Sequence, residues 1–216
     1  MNREWISISD MMSGLMLVFL FIAISFMVKV EEQMQVMKDI AIEYRDTKAN
    51  LNEALYEEFE NDLLSWDARI TKDNRVVFSS EKVLFEVSKS EIKNEFKVVL
   101  KDFFSRYIKI LTAPEYKNEI LELRVEEHTS DSWLNARNEE EIYLKNMQLS
   151  QNRAYEVLSY CYSLEDKTVV NNRIWLQKYF RANGMAFSQL KDAGKSRRVE
   201  FTIQMKSEDS VYKILK

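Results

Sequence analysis

Apolar residues in this chain are concentrated in one uncharged run, one heptad series and several shorter stretches. The run from residue 11 to residue 28, MMSGLMLVFLFIAISFMV, is 18 residues long and carries no charge. As a helix that rises about 1.5 Å per residue it would measure roughly 27 Å, close to the hydrocarbon thickness of a bilayer. The pattern therefore predicts a membrane-spanning helix near the N-terminus.

Beyond this run the apolar residues recur at alternating steps of four and three, and mostly charged residues lie between them. Lys48 interrupts a series that otherwise contains Val30, Met34, Met37, Ala41, Tyr44, Leu51 and Leu55. Such spacing is typical of the a and d positions of a coiled coil, and we expect a parallel dimer here. The alternative is a single amphipathic helix that packs against its own domain.

The remaining residues, 66–216, mix strand-like and helix-like patterns. Strands are predicted at 75–79, 82–87, 120–125 and 199–205, and helices at 90–111, 148–164 and 174–182. The strand segments are rich in β-branched and aromatic residues, whereas the helix segments repeat apolar residues every three or four positions. We expect an α/β (α+β) domain in which helices pack on a mixed β-sheet.

The apolar run is interpreted as a retained anchor and not as a cleaved signal peptide. The head MNREW carries one arginine and one glutamate, and no small-residue cleavage site follows the run. Charges on either side weakly favour a cytoplasmic N-terminus. We expect a cytoplasmic head at 1–9, a transmembrane helix at 10–29, a helical linker at 30–65 and a globular domain on the far side of the membrane at 66–216.

Asp10 stands just before the apolar run, where an ionisable group is costly and usually faces a partner or water. Ser13 and Gly14 follow closely, and such small residues allow a neighbouring helix to approach. An interfacial aspartate that caps the helix is the alternative. Position alone leaves both interpretations open.

Composition argues against several classes of function. The net charge is −4 and the isoelectric point is about 5.4, so we expect no direct nucleic-acid binding, which needs a clustered basic face. Cys161 is the only cysteine, so an intramolecular disulfide is impossible. No catalytic Ser/His/Asp set, cysteine–histidine pair or metal-ligand cluster is evident in the sequence. We therefore expect a protein that is not an enzyme and that needs no cofactor.

Four segments of the domain resemble, in the right order, the motifs of OmpA-like peptidoglycan-binding domains. They cover about residues 82–205 and read LFEVSKSEIK, VEEHTSDSW, NMQLSQNRAYEVLSY and GKSRRVEFTI. The third is similar to the family pattern N-x-x-L-S-x-x-R-A-x-x-V-x-x-Y at nearly every fixed position. The resemblance implies that the domain binds the peptide stem of peptidoglycan.

In that family an arginine and an aspartate hold the diaminopimelate end group. The resemblance places the arginine on Arg153, and it places family asparagine and leucine positions on Asn146 and Leu149. A guanidinium suits a carboxylate because its planar fork donates two parallel hydrogen bonds. Arg153 is therefore expected to bind the ligand.

The family's His-Thr-Asp stretch is altered in this chain. After His128 and Thr129 the expected aspartate is replaced by Ser130, and Asp131 follows one position later, while Glu127 replaces the family glycine. Thr129, Ser130 and Asp131 are kept as candidate peptidoglycan-binding residues. Either Asp131 takes over the role of the aspartate, or the ammonium group of the ligand is held differently.

The whole layout resembles stator subunits of the MotB type. The segment WISISDMMSGLMLVFLFIAISFM is similar to the MotB arrangement of an aromatic residue, an aspartate and a helix of small and apolar residues. Its details, with EHTSDSW, resemble the B subunit of the Zorya anti-phage defence system. A flagellar MotB-type stator subunit and a passive OmpA-like cell-wall tether are the alternatives.

The Zorya resemblance implies a particular assembly. A homodimer would sit inside a pentameric ring of MotA-like A subunits with long cytoplasmic tails, in the lipid bilayer of a bacterial inner membrane. Asp10 would carry the transported ion, H⁺ or Na⁺, and the periplasmic domains would hold peptidoglycan. These partners, like the ion, are expectations from the resemblance.

Overall fold

The computed structural model of the chain describes residues 2–79, 84–191 and 196–206. Its first element, α1, is an unbroken helix of 62 residues, Asn2–Leu63. The elements that follow it in the described residues are β1 (Ala68–Ile70), β2 (Val76–Phe78), α2 (Asn94–Leu111), α3 (Pro114–Lys117), β3 (Ile120–His128), α4 (Glu139–Ser163), α5 (Lys167–Asn171), α6 (Arg173–Tyr179), β4 (Phe180–Ala186) and β5 (Arg198–Met205).

The first half of α1 is long and apolar enough to cross a membrane. Side chains from residue 9 to residue 29 are exposed along its whole circumference. A helix that is apolar all round and covered by nothing in its own chain suits lipid or neighbouring helices. This agrees with the predicted span, and the orientation of the helix stays a prediction.

The last turns of α1 belong to the domain. Leu51, Leu55 and Phe59 are completely buried, and the Phe59 ring packs 5.2 Å from that of Phe103 on α2. Two members of the heptad series, Leu51 and Leu55, are therefore used by the domain's own core and cannot join a dimer seam. For this part of the linker, the alternative of a helix packed on its own domain is correct.

The strands form one mixed sheet in the order β1-β2-β5-β3-β4. The β3 and β4 strands are parallel, and α4, α5 and α6 form the connection between them, whereas the other neighbouring pairs are antiparallel. Alternate residues of β3 and β5, such as Leu123, Val125 and Phe201, are buried against the helices. The expected fold class, helices packed on a mixed sheet, is confirmed.

The helices follow from their apolar spacing and their end residues. The buried residues of α2 recur every three or four positions from Phe96 to Leu111, so one face of the helix enters the core. Asn138 caps α4 by accepting a hydrogen bond from the backbone N–H of Glu141 at 2.8 Å. Acidic residues in the first turn of α4 complement the positive end of the helix dipole.

Several predicted elements differ from the structure. The α4 helix begins nine residues before the predicted residue 148, and α2 begins four residues after the predicted residue 90. Residues 84–87 of the predicted second strand form no strand, and Phe85 makes only an isolated bridge to Ile92. Residues 82 and 83 of that prediction lie outside the described residues.

The predicted helix 174–182 is also wrong in its last three residues. The α6 helix ends at Tyr179, and β4 runs through Asn183 and Gly184, which had indicated a helix end. Gly184 is required because a Cβ there would collide with the backbone of Gln151 on α4. The glycine therefore marks close helix–strand packing and not a turn.

Candidate functional site

A cavity of about 440 Å³ opens at one end of the sheet, and we call it the Arg153 cavity. Its walls come from four parts of the chain that are far apart in sequence: residues 84–88 before α2, the end of β3 with the loop after it, residues 146–153 of α4, and residues 197–198 where β5 begins. Lys93, just before α2, completes the lining.

Five of the six predicted peptidoglycan-binding residues line this cavity. They are Thr129, Ser130, Asn146, Leu149 and Arg153, and the sixth, Asp131, is not among the lining residues. The structure thus brings together residues separated by up to 24 positions in sequence, but the ligand itself is untested. Asp131 is exposed in the loop beyond them.

Arg153 is nearly buried, with 6% of its surface exposed, and three of its N–H groups have protein partners. Its Nε donates to the carbonyl of Lys89 at 2.7 Å, and its Nη2 donates to the carbonyl of Glu86 at 3.0 Å. The guanidinium also lies over the Phe85 ring, 4.7 Å from its centroid. Arg153 is therefore held rigidly in the wall of the cavity.

The third partner of Arg153 is a carboxylate that sequence reasoning did not assign to the site. Arg153 Nη1 donates to Glu127 Oε1 at 3.0 Å, and Glu127 is 1% exposed. Burial raises the pKa of Glu127 to about 7, although the charge of Arg153 and its hydrogen bond act to lower it. Strand alternation could have located Glu127, because it shares the core-facing positions of Leu123 and Val125.

The loop after β3 is fastened to α4 and β5. Asn146 Nδ2 donates to the carbonyl of Ile142 at 2.9 Å and more weakly to that of Ser132 at 3.4 Å. Arg197 Nη2 donates to the hydroxyl of Ser130 at 3.2 Å. The predicted residue Asn146 therefore orders the cavity's rim as well as lining it.

Close packing of α4 on β4 fixes the position of Arg153 along the sheet, and thereby its position in the cavity. Ser150 Oγ accepts from the N–H of Ala186 at 3.0 Å, and Gln151 Oε1 accepts from the N–H of Gly184 at 2.8 Å. These residues stand two and three positions before Arg153 on the same helix. Because both bonds go to backbone groups, α4 cannot slide along the sheet without losing them.

A second charged cluster lies on the sheet face that points away from the helices. Its possible metal ligands are Glu126, His128 and Glu200, whose ligand atoms lie within 4.8 Å of one another. Arg198 Nε donates to Glu200, and Arg75 Nη1 lies 3.2 Å from the other carboxylate oxygen. The guanidinium groups of Arg75 and Arg198 already neutralise the carboxylates that would bind a metal ion. The cluster therefore fits an internal ion network better than a metal site.

The ionisation of this cluster agrees with that interpretation. Burial opposes the charge of Glu200, but the hydrogen bond and charge of Arg198 outweigh it and lower the pKa to about 2. Burial and the charge of Arg198 lower the pKa of His128 to about 4. His128 is therefore neutral near pH 7, and its Nε2 lies 4.0 Å from Glu200 Oε1, too far for a hydrogen bond.

Asp10, the predicted ion carrier, lies about 50 residues before the domain on the exposed part of α1. One turn later, Ser13 Oγ donates to the backbone carbonyl of Ser9 at 2.9 Å. A Cβ placed on Gly14 would meet nothing within 4 Å, so this stretch of the helix is open to a neighbour. The role of Asp10 in ion transport stays a prediction.

Comparison with known proteins gives one close relative. No family model matches the chain. The chain is 37% identical over 222 residues to the Zorya protein ZorB from Escherichia coli, and the match covers 99% of this chain and 93% of that protein.

Solved structures give weaker similarities. A putative MotB-like protein from Desulfovibrio vulgaris is 18% identical, with a TM-score of 0.49, and covers 79% of this chain and 99% of its own. The cell wall anchor of the type VI secretion system from Pseudomonas aeruginosa is 20% identical, with a TM-score of 0.47, and covers 70% and 97%.

Proposed function

The chain belongs to the ZorB family as a stator-like B subunit, and from this starting point we propose that it is the ion-carrying, wall-anchored subunit of a Zorya motor in anti-phage defence. The observation that carries the proposal is the continuity of α1. One helix of 62 residues holds Asp10 near its start and buries Phe59 in the domain that contains the Arg153 cavity. An ion-binding group and a wall-binding site are thereby joined by one rigid element.

Asp10 is the proposed carrier of H⁺ or Na⁺. A carboxylate that moves out of water binds a cation more tightly, and renewed contact with water favours its release. A membrane potential of 100 mV supplies about 2.3 kcal/mol for each elementary charge that crosses the bilayer. Repeated binding and release at Asp10 would therefore drive the movement of a surrounding ring of A subunits, proposed to be pentameric.

Two copies of the chain are proposed to stand inside that ring. Met34 and Met37 are 52% and 39% exposed and have the spacing of a dimer seam, and the less exposed Val30 and Tyr44 continue it. A parallel pair would cover these side chains and place both Asp10 residues at the same depth in the membrane. The N-terminus is proposed to be cytoplasmic and the domain periplasmic.

The Arg153 cavity is the proposed peptidoglycan site, and it would hold the B subunits still while the A ring moves. Its lining combines a fixed guanidinium, a buried carboxylate, hydroxyl groups and the apolar side chain of Leu149. Small-ligand sites typically place a few polar groups in such a concave, partly apolar surface. A stem peptide with charged end groups matches this combination.

The test is to replace Asp10 by asparagine in cells that carry the complete system. We expect phage protection and ion flux to be abolished while the complex with the A subunit still assembles, because Asn keeps the size but loses the charge. The matched control is Asp39→Asn, which removes an exposed carboxylate from the same helix and should leave protection intact. Full protection by the Asp10→Asn variant would overturn the proposal.

A passive wall tether predicts a different result in the same assay. Asp10→Asn would then be silent, and only Arg153→Ala would remove protection. Under the motor proposal both variants lose protection, but only Arg153→Ala loses retention on purified peptidoglycan. Measuring wall retention together with protection therefore separates the two functions.

A further inference from the structure

Three buried polar atoms in the lining of the Arg153 cavity have no hydrogen-bond partner among the described residues. They are Glu127 Oε2, Thr129 Oγ1 and Arg198 Nη2. Each belongs to a residue that is at most 3% exposed. A buried polar atom without a partner costs free energy, so Glu127 Oε2 and Thr129 Oγ1 indicate where a ligand would bind. Arg198 belongs to the ion network on the opposite face of the sheet, where its Nε donates to Glu200.

Apart from Glu127, the carboxylate that the described lining offers to an ammonium ion is exposed and already paired. Ser130 stands where the resemblance predicts an aspartate, and its hydroxyl already accepts from Arg197. Asp131 does not line the cavity. Of the carboxylates that do, Glu86 is 56% exposed and pairs with Lys93 at 3.1 Å. Among the described lining residues, Glu127 is thus the buried carboxylate that has one oxygen paired, Oε1, and one oxygen without a partner, Oε2.

Arg153 is arranged to orient this carboxylate. Arg153 Nη1 donates to Oε1 of Glu127 at 3.0 Å. Its Nε and Nη2 donate to two backbone carbonyls, which fix the orientation of the guanidinium. The other oxygen, Oε2, therefore keeps a fixed position at the cavity wall. A guanidinium carries about five N–H donors, and three in Arg153 are occupied by described residues, which leaves capacity for a second carboxylate.

We propose that Glu127 is the acidic binding residue of the Arg153 cavity, and that its Oε2 accepts a hydrogen bond from an ammonium group of the ligand. The ligand class is a peptide that ends in an amino-acid centre carrying both an ammonium and a carboxylate. The two remaining N–H donors of Arg153 are available to the carboxylate. This inference rests on the proposed function, in which the cavity binds the peptide stem of peptidoglycan.

The charges around Glu127 support the assignment. The charged groups that act on Glu127 are Arg153 on α4, Arg197 just before β5 and Arg198 at the start of β5, and all three lower its pKa. Burial nevertheless raises that pKa to about 7, so these cations do not fully compensate the buried charge. An ammonium ion at Oε2 would supply the missing compensation, and its binding should therefore strengthen as the pH rises through 7.

The experiment measures binding of a soluble peptidoglycan fragment to the full-length protein in detergent by calorimetry. Two probes are compared: a disaccharide tripeptide whose diaminopimelate keeps its free amine, and the same fragment with that amine acetylated. For the native protein we expect acetylation to weaken binding about tenfold to a hundredfold, as for the loss of a charged hydrogen bond. Glu127→Gln should bind the free-amine probe with a similar loss and should no longer distinguish the two probes.

The matched control is Glu86→Gln, which removes an exposed carboxylate from the same cavity and should preserve the discrimination. The inference is overturned if Glu127→Gln still discriminates between the probes as well as the native protein does. It is also overturned if that variant binds more tightly, since Glu127 would then compete with the ligand for Arg153. Should the variant fail to fold, equal affinity of the native protein for both probes decides against the inference.

Failure of the underlying function gives a different pattern. If neither probe binds the native protein, peptidoglycan binding by this cavity is excluded, and the role of Glu127 with it. If the native protein binds, Arg153→Ala does not and Glu127→Gln is unaffected, the wall-binding function stands and only the role of Glu127 is wrong.

Discussion

The two halves of α1 both carry many apolar residues but have opposite surroundings. In the membrane-side half, residues 9–44, most side chains are exposed, including Met34 and the whole apolar run. In the domain-side half, residues 51–63, Leu51, Leu55 and Phe59 are completely buried by the chain's own domain. The apolar side chains of the domain-side half are therefore covered by the chain itself, whereas those of the membrane-side half need lipid or other chains.

The domain-side half is fastened by polar contacts as well as by its core residues. Tyr56 donates its hydroxyl to the carbonyl of Ile70 at 2.7 Å, and Asn52 Nδ2 donates to the carbonyl of Thr71 at 2.9 Å. Arg106 on α2 reaches back to Glu58 at 2.6 Å. These contacts explain why the helix does not end at the membrane-side border of the domain: its last turns are part of the domain's fold.

Truncating a core residue of the domain-side half is expected to have the largest effect. Phe59→Ala should lower the free energy of unfolding by about 3–5 kcal/mol, because it removes a fully buried ring and leaves a cavity beside Phe103. Denaturant unfolding of the full-length protein in detergent, followed by tryptophan fluorescence, measures this loss. Met34→Ala in the membrane-side half is the control and should change the free energy of unfolding little. Equal losses of stability in the two variants would contradict the contrast between the two halves.

A buried ionisable group in the domain should give a smaller, pH-dependent effect. The pKa of Glu127 rises from 4.5 to about 7 on folding, so the folded state holds its proton longer and native stability falls as the pH rises between these values. Glu127→Gln removes this loss. The stability of the variant relative to the native protein should therefore increase with pH by up to about 1.4 kcal/mol per unit over that interval.

Unfolding curves measured between pH 4.5 and pH 7 test this prediction. Arg153 stays charged throughout the interval, so the pH-dependent part of the difference belongs to Glu127. If the difference in unfolding free energy did not change with pH, the pKa of Glu127 would not be raised by folding, and the prediction would be wrong. The exposed Glu86→Gln variant serves as the reference for a carboxylate outside the ion pair.

A charge in the membrane-side half should have the smallest effect on unfolding but a clear effect on self-association. Met37→Asp places a carboxylate in the proposed dimer seam, where its desolvation opposes pairing, while no domain contact is lost. We expect an unchanged unfolding midpoint and a loss of dimer in sedimentation measurements. A dimer that survives the substitution would show that the two copies meet elsewhere.

Much of the fold was predictable because its strongest patterns lie in its most buried elements. The α2 helix repeats apolar residues along one face, and β3 and β5 alternate their core residues, so both element types follow from the sequence. The β4 strand was missed because only Phe180 and Ala186, at its two ends, are buried. An edge strand of this kind has no alternating pattern, and its glycine resembles a helix end.

The candidate site was predictable as far as one motif extends. Asn146, Leu149 and Arg153 share one helix, so their common position follows from spacing. The pairing of Arg153 with Glu127 links residues 26 positions apart on different elements. Only the strand–helix packing brings them together, and a motif comparison treats Glu127 merely as a replaced glycine.

The unbroken course of α1 also has a mechanical consequence. Each residue of an α-helix turns by about 100°, so the number of residues between Asp10 and Phe59 sets the angle between the charged group and the domain. Removing one residue would swing the aspartate by that angle, whereas removing seven would return it to within about 20° of its original bearing. Because the helix is unbroken from Asn2 to Leu63, a torque applied to it within the bilayer would be transmitted to the domain without a flexible linker in between.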